Sequence, residues 1–160
     1  MAGNITMRGK DAVYAGLAEC FITIDGKRYN FMSLTEFESK LKTNIVKVNI
    51  LGKVGAGHKA AGSEGSWTAK AHYNQSVIRE MMRNYQKTGE LQYFEIQVSN
   101  EDPTSSVGRQ TIVHKDCLCD EITLAKFAAG DDLLDEKLSG TFDDWDMPES
   151  FIMMDGFETN

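Results

Sequence analysis

The sequence predicts an α+β fold in which antiparallel β-structure dominates. About six to eight segments show the two-residue alternation of strands, and one apolar stripe has helical spacing. Asp25-Gly26 adds a hairpin turn, because both residues tolerate positive φ. The 160 residues suit a single domain spanning 1–160.

The N-terminal third predicts an arm followed by strands. Residues 1–17 are expected to form an N-terminal arm, and Glu19 to Ile24 alternates like a strand. The run from Lys27 to Leu51 contains neither glycine nor proline, which favours two long strands or one bent strand. Within this run, Glu36 and Glu38 share one predicted face.

Five glycines lie between residues 52 and 65, and this density predicts a mobile loop, longer than most connections in compact domains. A loop of this kind is typical of a contact site. Its candidate assembly residues are Gly52, Gly55, Gly57, His58, Lys59 and Gly62. Strand spacing returns from Ser66 to Tyr73.

One helix is predicted after residue 76. Its apolar stripe consists of Val77, Ile78, Met81, Met82 and Tyr85. Asn74 or Ser76 suits its N-cap, and Gly89 suits the left-handed position that follows a helix. Further strands are predicted at 91–98, 109–118, 121–128 and 138–145.

Charge is concentrated at the C-terminal end. Residues 131–160 hold ten acidic residues and one basic residue, Lys137, which gives −9, whereas the rest of the chain is +2 and the whole is −7. Residues 146–160 form an acidic segment that either is simply solvated or attracts the basic body of another copy. Trp145, just before it, packs either against a neighbouring subunit or onto its own core.

No motif points to catalysis, a cofactor or a metal. Gly57 is followed by His58 rather than by the Lys-Ser/Thr pair of a phosphate loop, and no Gly-x-Ser-x-Gly elbow occurs. The three histidines lie on separate segments, and Cys117 and Cys119 would need two further zinc ligands. We therefore expect no catalytic, cofactor-binding or metal-binding residues, although an active site without a local motif stays open.

No apolar run approaches the roughly 20 residues that cross a bilayer, and residues 1–11 lack the apolar region of a secretory signal. We expect no membrane anchoring, and we expect the protein to be made and kept, at least at first, in a cytoplasm. The odd number of cysteines predicts reduced thiols.

An ordered set of motifs resembles the tail tube proteins of contractile phages, defective prophages and bacteriocin-like particles. It comprises Gly9-Lys10-Asp11, the Asp25-Gly26 turn, Val48 to Lys53 with Gly57-His58-Lys59, and Gly140 to Glu149. The resemblance implies a β-barrel or β-sandwich with one flanking helix. Long hairpins would join into an inner β-barrel of a hexameric ring, and stacked rings would form a hollow tube.

The resemblance also implies partners. They are further copies of the chain, the tail sheath, the tape measure and baseplate proteins, and DNA as a transient, non-specific cargo. On this hypothesis Glu36 and Glu38 face the lumen, residues 52–65 join stacked rings, and Trp145 lies at a subunit interface. A secreted ring-forming tube of a bacterial contractile injection system and a monomeric enzyme are the alternative hypotheses.

Overall fold

The computed structural model describes residues 6–90 and 92–158, which form antiparallel β-structure with one α-helix. A 3₁₀ turn at Gly9–Asp11 comes first, and α1 (Val77–Thr88) follows the fourth strand. The strands are β1 (Ala18–Ile24), β2 (Lys27–Asn30), β3 (Leu34–Val48), β4 (Gly57–His72), β5 (Phe94–Glu101), β6 (Arg109–Ile122), β7 (Asp135–Phe142) and β8 (Asp144–Glu149).

The mainly antiparallel fold with a single helix, predicted from the sequence, is confirmed in the described part of the chain. The strand order is β2-β1-β5-β6-β7-β4-β3, with β8 also pairing with β6. Because β2 and β3 end this order, the sheet is not closed within the single chain. The barrel implied by the resemblance is therefore not formed by one subunit alone.

Two compact units make up the chain, and β6 contributes to both. As far as they are described, the segments of the first unit are Met1–Met32, Phe94–Lys115 and Trp145–Asn160, and those of the second are Ser33–Tyr93 and Asp116–Asp144. Asp116 opens the second half of β6 with φ 53°, a left-handed conformation that aspartate tolerates better than most residues.

In the first unit, β1 is central and pairs with β2 and β5. Asp25 (φ 50°) and Gly26 (φ 75°) form the predicted two-residue turn between β1 and β2. Ile22 faces Ile96 across the β1–β5 ladder, and both are buried. The core of this unit also buries His114, whose Nδ1 lies 2.9 Å from the Ile96 carbonyl oxygen.

The described part of the N-terminal arm is attached to the first unit. The Asp102 carboxylate accepts hydrogen bonds from the Tyr14 N–H (3.0 Å) and from the Thr104 N–H (2.9 Å) and hydroxyl (2.7 Å). The Thr104 bonds and then the Tyr14 bond hold the pKa of Asp102 below its usual range. Ser106 N–H donates to the Lys10 carbonyl (2.9 Å), so residues 10–14 are fixed rather than loose.

The second unit is a four-stranded antiparallel sheet in the order β3-β4-β7-β6, with α1 on its apolar face. Trp67, Ala69 and Leu138 are buried on that face. The helix begins after Ser76 as predicted, but the Gln75 side chain, not Asn74 or Ser76, accepts the Val77 N–H (3.0 Å). Gly89 ends it with φ 73°, as expected.

A buried ion pair fixes α1 to β7. The Glu136 side chain is completely buried and binds the Arg79 guanidinium, and Gln75 Nε2 donates to its other oxygen (3.2 Å). Arg79 also donates to the Thr123 carbonyl (3.0 Å) and lies 4.6 Å from the centre of the Tyr73 ring. A buried carboxylate is tolerated here because each of its two oxygens meets a donor, one of them cationic.

Two glycine–aromatic pairs hold β4 against β7. Trp67 lies opposite Gly140, and Phe142 lies opposite Gly65. A β-carbon at Gly140 would overlap the Leu118 carbonyl oxygen and lie 2.7 Å from Trp67 Nε1. Each glycine therefore leaves the space that the aromatic ring opposite fills, a known way to stabilise glycine in strands.

Several predicted boundaries were wrong. Residues 27–51 form the short β2 and the long β3, separated at residues 31–33. The predicted strands 109–118 and 121–128 are replaced by the single strand β6, which ends at Ile122. Residues 123–128 form irregular structure. The predicted strand 138–145 is the end of β7 and the beginning of β8, interrupted at Asp143.

Replacing Glu136 by leucine is expected to destabilise the protein by about 3–5 kcal/mol, because the half-buried Arg79 would lose its counter-charge. Denaturant unfolding measures the change. Adding Arg79→Met to Glu136→Leu should recover most of the loss, and Glu80→Leu at an exposed position of α1 should change stability by less than about 0.5 kcal/mol. A small effect of Glu136→Leu alone would contradict the ion pair's role.

Stability should also fall with acid through His114. Burial lowers the pKa of this imidazole below its ordinary value of 6.5, although the Ile96 carbonyl partly opposes the shift. As the pH falls through 6.5, the unfolded chain takes up a proton that the folded protein still refuses, so unfolding becomes easier. Between pH 7 and 5, unfolding free energies should decline less steeply for His114→Gln than for the wild type, with His58→Gln as the composition control. Equal slopes for His114→Gln and the wild type would contradict this.

Candidate assembly interface

The β3–β4 hairpin extends beyond the sheet that supports it. β4 pairs with β7 only from Gly65 to His72, whereas its pairing with β3 continues outward to Val48 and Gly57. Within the described part of the chain, residues 57–64 therefore pair with β3 alone. At about 3.3 Å per residue, this two-stranded part is roughly 25 Å long.

The outer part of this hairpin, residues 43–63, exposes apolar side chains on both faces. Ile45 and Val46 point to opposite sides of β3 and are 58% and 44% exposed. At the tip, Leu51 and Val54 are fully exposed. An isolated two-stranded hairpin is marginally stable in water, so a long apolar one implies contact with another surface.

The base of the hairpin has one apolar and one polar face. Phe37 stacks on Trp67 with ring centres 6.3 Å apart, which fixes β3 to the core of the second unit. The opposite face, here named the polar face, is formed by Glu36, Glu38, Lys40 and Lys42 of β3 and by their register partners Lys70, Thr68, Ser66 and Glu64 of β4. It continues onto β7 at Lys137, Ser139 and Thr141.

Glu36 and Glu38 are both exposed and share the polar face, as the alternation predicted. Their charge is balanced rather than isolated. Glu38 Oε1 lies 3.3 Å from Lys40 Nζ, and Glu36 is the register partner of Lys70. Their position toward a lumen stays a prediction.

The expected loop at 52–65 was wrong in extent. Gly57, His58, Lys59 and Gly62 lie within β4, and the turn is confined to residues 49–56, including Gly52 and Gly55. The glycines do not prevent pairing, because β3 supplies a regular partner for this stretch. Gly62 takes φ 94° at a bulge, where two residues of β4 oppose one of β3. The six candidate assembly residues thus share one hairpin end.

Trp145 lies on β8, all six residues of which are exposed. It is 42% exposed, so its own chain covers more than half of the residue and leaves the rest open. Its interface role stays a prediction.

Sequence reasoning missed a second open apolar segment: Leu124, Phe127 and Leu133, between β6 and β7, are 73%, 90% and 72% exposed. The sequence does show large apolar residues among alanines here, but residues 121–128 were predicted as a strand rather than as an exposed apolar segment.

The histidines and cysteines are dispersed. His58 is exposed on β4, His72 Nδ1 lies 3.3 Å from Asp135 Oδ1, and His114 is buried. Cys117 is buried, and burial raises the pKa of Cys20 to about 12 and that of Cys119 to about 11. In residues 6–90 and 92–158, no three histidine, cysteine or acidic side chains are grouped as metal ligands, and no helix is long and apolar enough to span a bilayer.

At the sequence level the chain matches one phage protein family and two proteins of Bacillus subtilis. The sequence profile of the family described as "Phage tail tube protein" matches residues 5–149. The phage-like element PBSX protein XkdM of Bacillus subtilis (strain 168) is 32% identical over 113 residues, which cover 71% of this chain and 77% of that protein. The uncharacterized protein YqbM of the same strain matches with the same identity and coverage.

Solved structures share the fold at low identity. A chain of the sheath–tube complex of an extracellular contractile injection system (PVC) has a TM-score of 0.66 at 9% identity, over 89% of this chain and 94% of that one. A chain of the anti-feeding prophage baseplate, solved with 6-fold symmetry, has a TM-score of 0.63 at 13% identity, over 85% and 95%. A chain of a gene transfer agent tail with C6 symmetry has a TM-score of 0.52 at 14% identity, over 92% and 100%.

The sequence match over most of the chain, the shared fold and the unsupported hairpin agree with one another. The chain belongs to the phage tail tube protein family, whose members are structural components of phage tails and phage-like particles.

Proposed function

We propose that copies of this chain form hexameric rings that stack into the hollow inner tube of a contractile tail, and that the whole chain, 1–160, acts as one tube subunit without enzymatic activity. One observation carries the proposal: β3 offers a 15-residue outer edge that no strand in the described chain covers. Unpaired backbone N–H and C=O groups on a long edge strand favour pairing with another chain. Ring closure would remove free sheet edges by pairing this edge with another copy.

The six-fold count is taken from the relatives whose structures carry six-fold symmetry. The stacking role rests on the outer part of the hairpin, residues 43–63. Its length and its apolar residues on both faces suit insertion between subunits rather than exposure to a wet channel. On this proposal Gly52, Gly55, Gly57, His58, Lys59 and Gly62 contact the next ring, and the partly open Trp145 contacts a neighbouring subunit.

The polar face of the second unit, with Glu36 and Glu38, would line the lumen. Its lysines are interspersed with acidic side chains, since Glu36 faces Lys70 and Lys42 faces Glu64, so the surface offers no continuous row of cations to DNA phosphates. DNA would therefore pass as a transient, non-specific cargo. The tape measure protein would occupy the same channel before DNA enters.

Outside partners follow from the assemblies that contain the structural relatives. Those assemblies include a sheath–tube complex and a baseplate. We propose corresponding sheath and baseplate contacts here, with assembly in the host cytoplasm before release. The likeness to an extracellular injection system keeps a secreted ring-forming tube as the alternative. Capsid and terminase genes beside this one would favour the phage tail.

Removal of the outer hairpin tests the assembly role. Replacing residues 43–63 by Asn-Gly joins Lys42 directly to its register partner Glu64 through a two-residue turn. The product should unfold at nearly the wild-type denaturant concentration, because the removed part contributes no buried core residue. Negative-stain microscopy should show cylinders for the wild type and none for the variant. Normal cylinders from the shortened chain would contradict the proposal.

Cysteine labelling tests the lumen assignment. A thiol placed at Glu38→Cys is exposed in the single chain and should react readily there with both small and polymer-linked maleimides. Burial and the raised pKa of Cys20 and Cys119 keep the background reaction slow. In assembled tubes the polymer-linked reagent should react at least about tenfold more slowly than the small one, since it must enter from the tube ends. If both reagents label the assembled tubes as fast as they label the single chain, residue 38 lies on the outer wall.

A further inference from the structure

The sheet of the second unit has two different outer edges. Within this unit the strand order is β3-β4-β7-β6, so its outer strands are β3 and residues 116–122 of β6, a strand that also pairs with β5 and β8. Each neighbouring pair is antiparallel, and four strands is an even number, so β3 and β6 run in opposite directions. Identical copies rotated about one axis would thus meet β3 to β6 in an antiparallel joint at every subunit boundary.

The charges on these two edges are unequal. On β6, Asp120 and Glu121 are both exposed, and the Asp120 carboxylate accepts a hydrogen bond from the Ser139 hydroxyl on the polar face (2.6 Å). Glu121 is the register partner of Ser139. On β3, the polar face changes sign along the strand, from Glu36 and Glu38 to Lys40 and Lys42.

The register within the chain shows what an unshifted joint would do. Glu38, Thr68, Ser139 and Glu121 are successive register partners across the four strands, so they form one row. Copies joined with their rows aligned would set Glu121 directly beside the next copy's Glu38. Like charges opposite each other in a sheet are destabilising. A shift of four residues along β3 replaces Glu38 by Lys42 in this position.

The geometry of closed barrels also requires a shift of about four residues between neighbouring copies. Strands in closed barrels are tilted, and a tilt of about 36° corresponds to a stagger of about one residue per strand. A four-stranded repeat therefore needs about four residues per subunit. The shift must also be even, because an odd one would turn the polar face of one copy toward the apolar face of the next.

We propose that β3 of each subunit pairs with residues 116–122 of its neighbour in the register that sets Lys42 beside Asp120 and Glu121. The partner is a second copy of this chain, and the inference rests on the proposed ring assembly. The charge pattern then selects both the orientation and the stagger of the joint. It excludes the unshifted joint, which brings acidic side chains together.

Reciprocal charge changes test this register. Lys42→Glu places an acid beside Asp120 and Glu121, and the double variant Asp120→Asn/Glu121→Lys places a base beside Lys42. At low salt, each variant alone should need about tenfold more protein to form tubes, because an attraction becomes a repulsion at every joint. An equimolar mixture of the two should assemble near the wild-type concentration, with both chains present in equal amounts in the pelleted tubes. One chain carrying all three substitutions should also assemble.

The mixture separates contacts between copies from contacts within one chain. Lys42→Glu also opposes Glu64 in its own hairpin, but this repulsion is identical in the variant alone and in the mixture. Unfolding curves of the unassembled variants control for folding, and Lys27→Glu on β2 controls for the charge change itself. About 1 M salt should reduce the difference between the variants and the wild type.

The possible results distinguish this inference from the proposed function. A wild type that never assembles would overturn the ring proposal. If the wild type assembles and Lys42→Glu alone assembles equally well, the register is overturned and the ring proposal stays intact. Variants that fail alone and are rescued neither by mixing nor by combination would overturn the pairing of Lys42 with Asp120 and Glu121. Rescue by both routes supports it.

Discussion

An uncovered strand edge is the constraint on which the organisation of this protein depends. The long β3 and the outer half of β4 pair with each other, and nothing in the described chain continues the sheet past β3. In water such an edge is a hazard that monomeric proteins avoid with short strands, prolines or bulges. Here the strand is long, the bulge near Gly62 lies on β4, and the irregularity on β3 itself is at Thr35, near the beginning of the strand. The edge from Glu36 onward is therefore kept available rather than blocked.

The rest of the second unit keeps that edge in a defined position. Phe37 stacks on Trp67, Trp67 fills the space above Gly140, and Glu136 connects β7 to α1 through Arg79. Each contact passes from one element to the next, so the hairpin base is continuous with the helix on the apolar face. The helix therefore packs on the apolar face and does not cover the polar face. The polar face carries charged side chains that are exposed and therefore available to another copy.

Local rules predicted some of this structure and failed on the rest. The helix at 77–88 and the Asp25-Gly26 turn follow from short-range chemistry, namely an apolar stripe, a left-handed glycine and a two-residue turn. The extent of β4 does not follow from short-range chemistry. Five glycines in fourteen residues indicate a loop, and only the pairing with β3 shows that most of them lie in a strand. Gly140 and Gly65 gave no signal either, since their need for space comes from Trp67 and Phe142, distant in sequence. Glu36 and Glu38 were placed on one exposed face, but the pairing of Glu36 with Lys70 on β4 emerged only from the register.

The state of the cysteines has a consequence for a tail that leaves its cell. Cys117 is fully enclosed, and Cys20 and Cys119 hold their protons far above neutral pH. Because cysteine oxidation begins at the thiolate, these three thiols react slowly with air and extracellular oxidants. Disulfide cross-links between copies of this subunit are therefore disfavoured even in an oxidising medium. Contacts between the copies would then be held by non-covalent interactions.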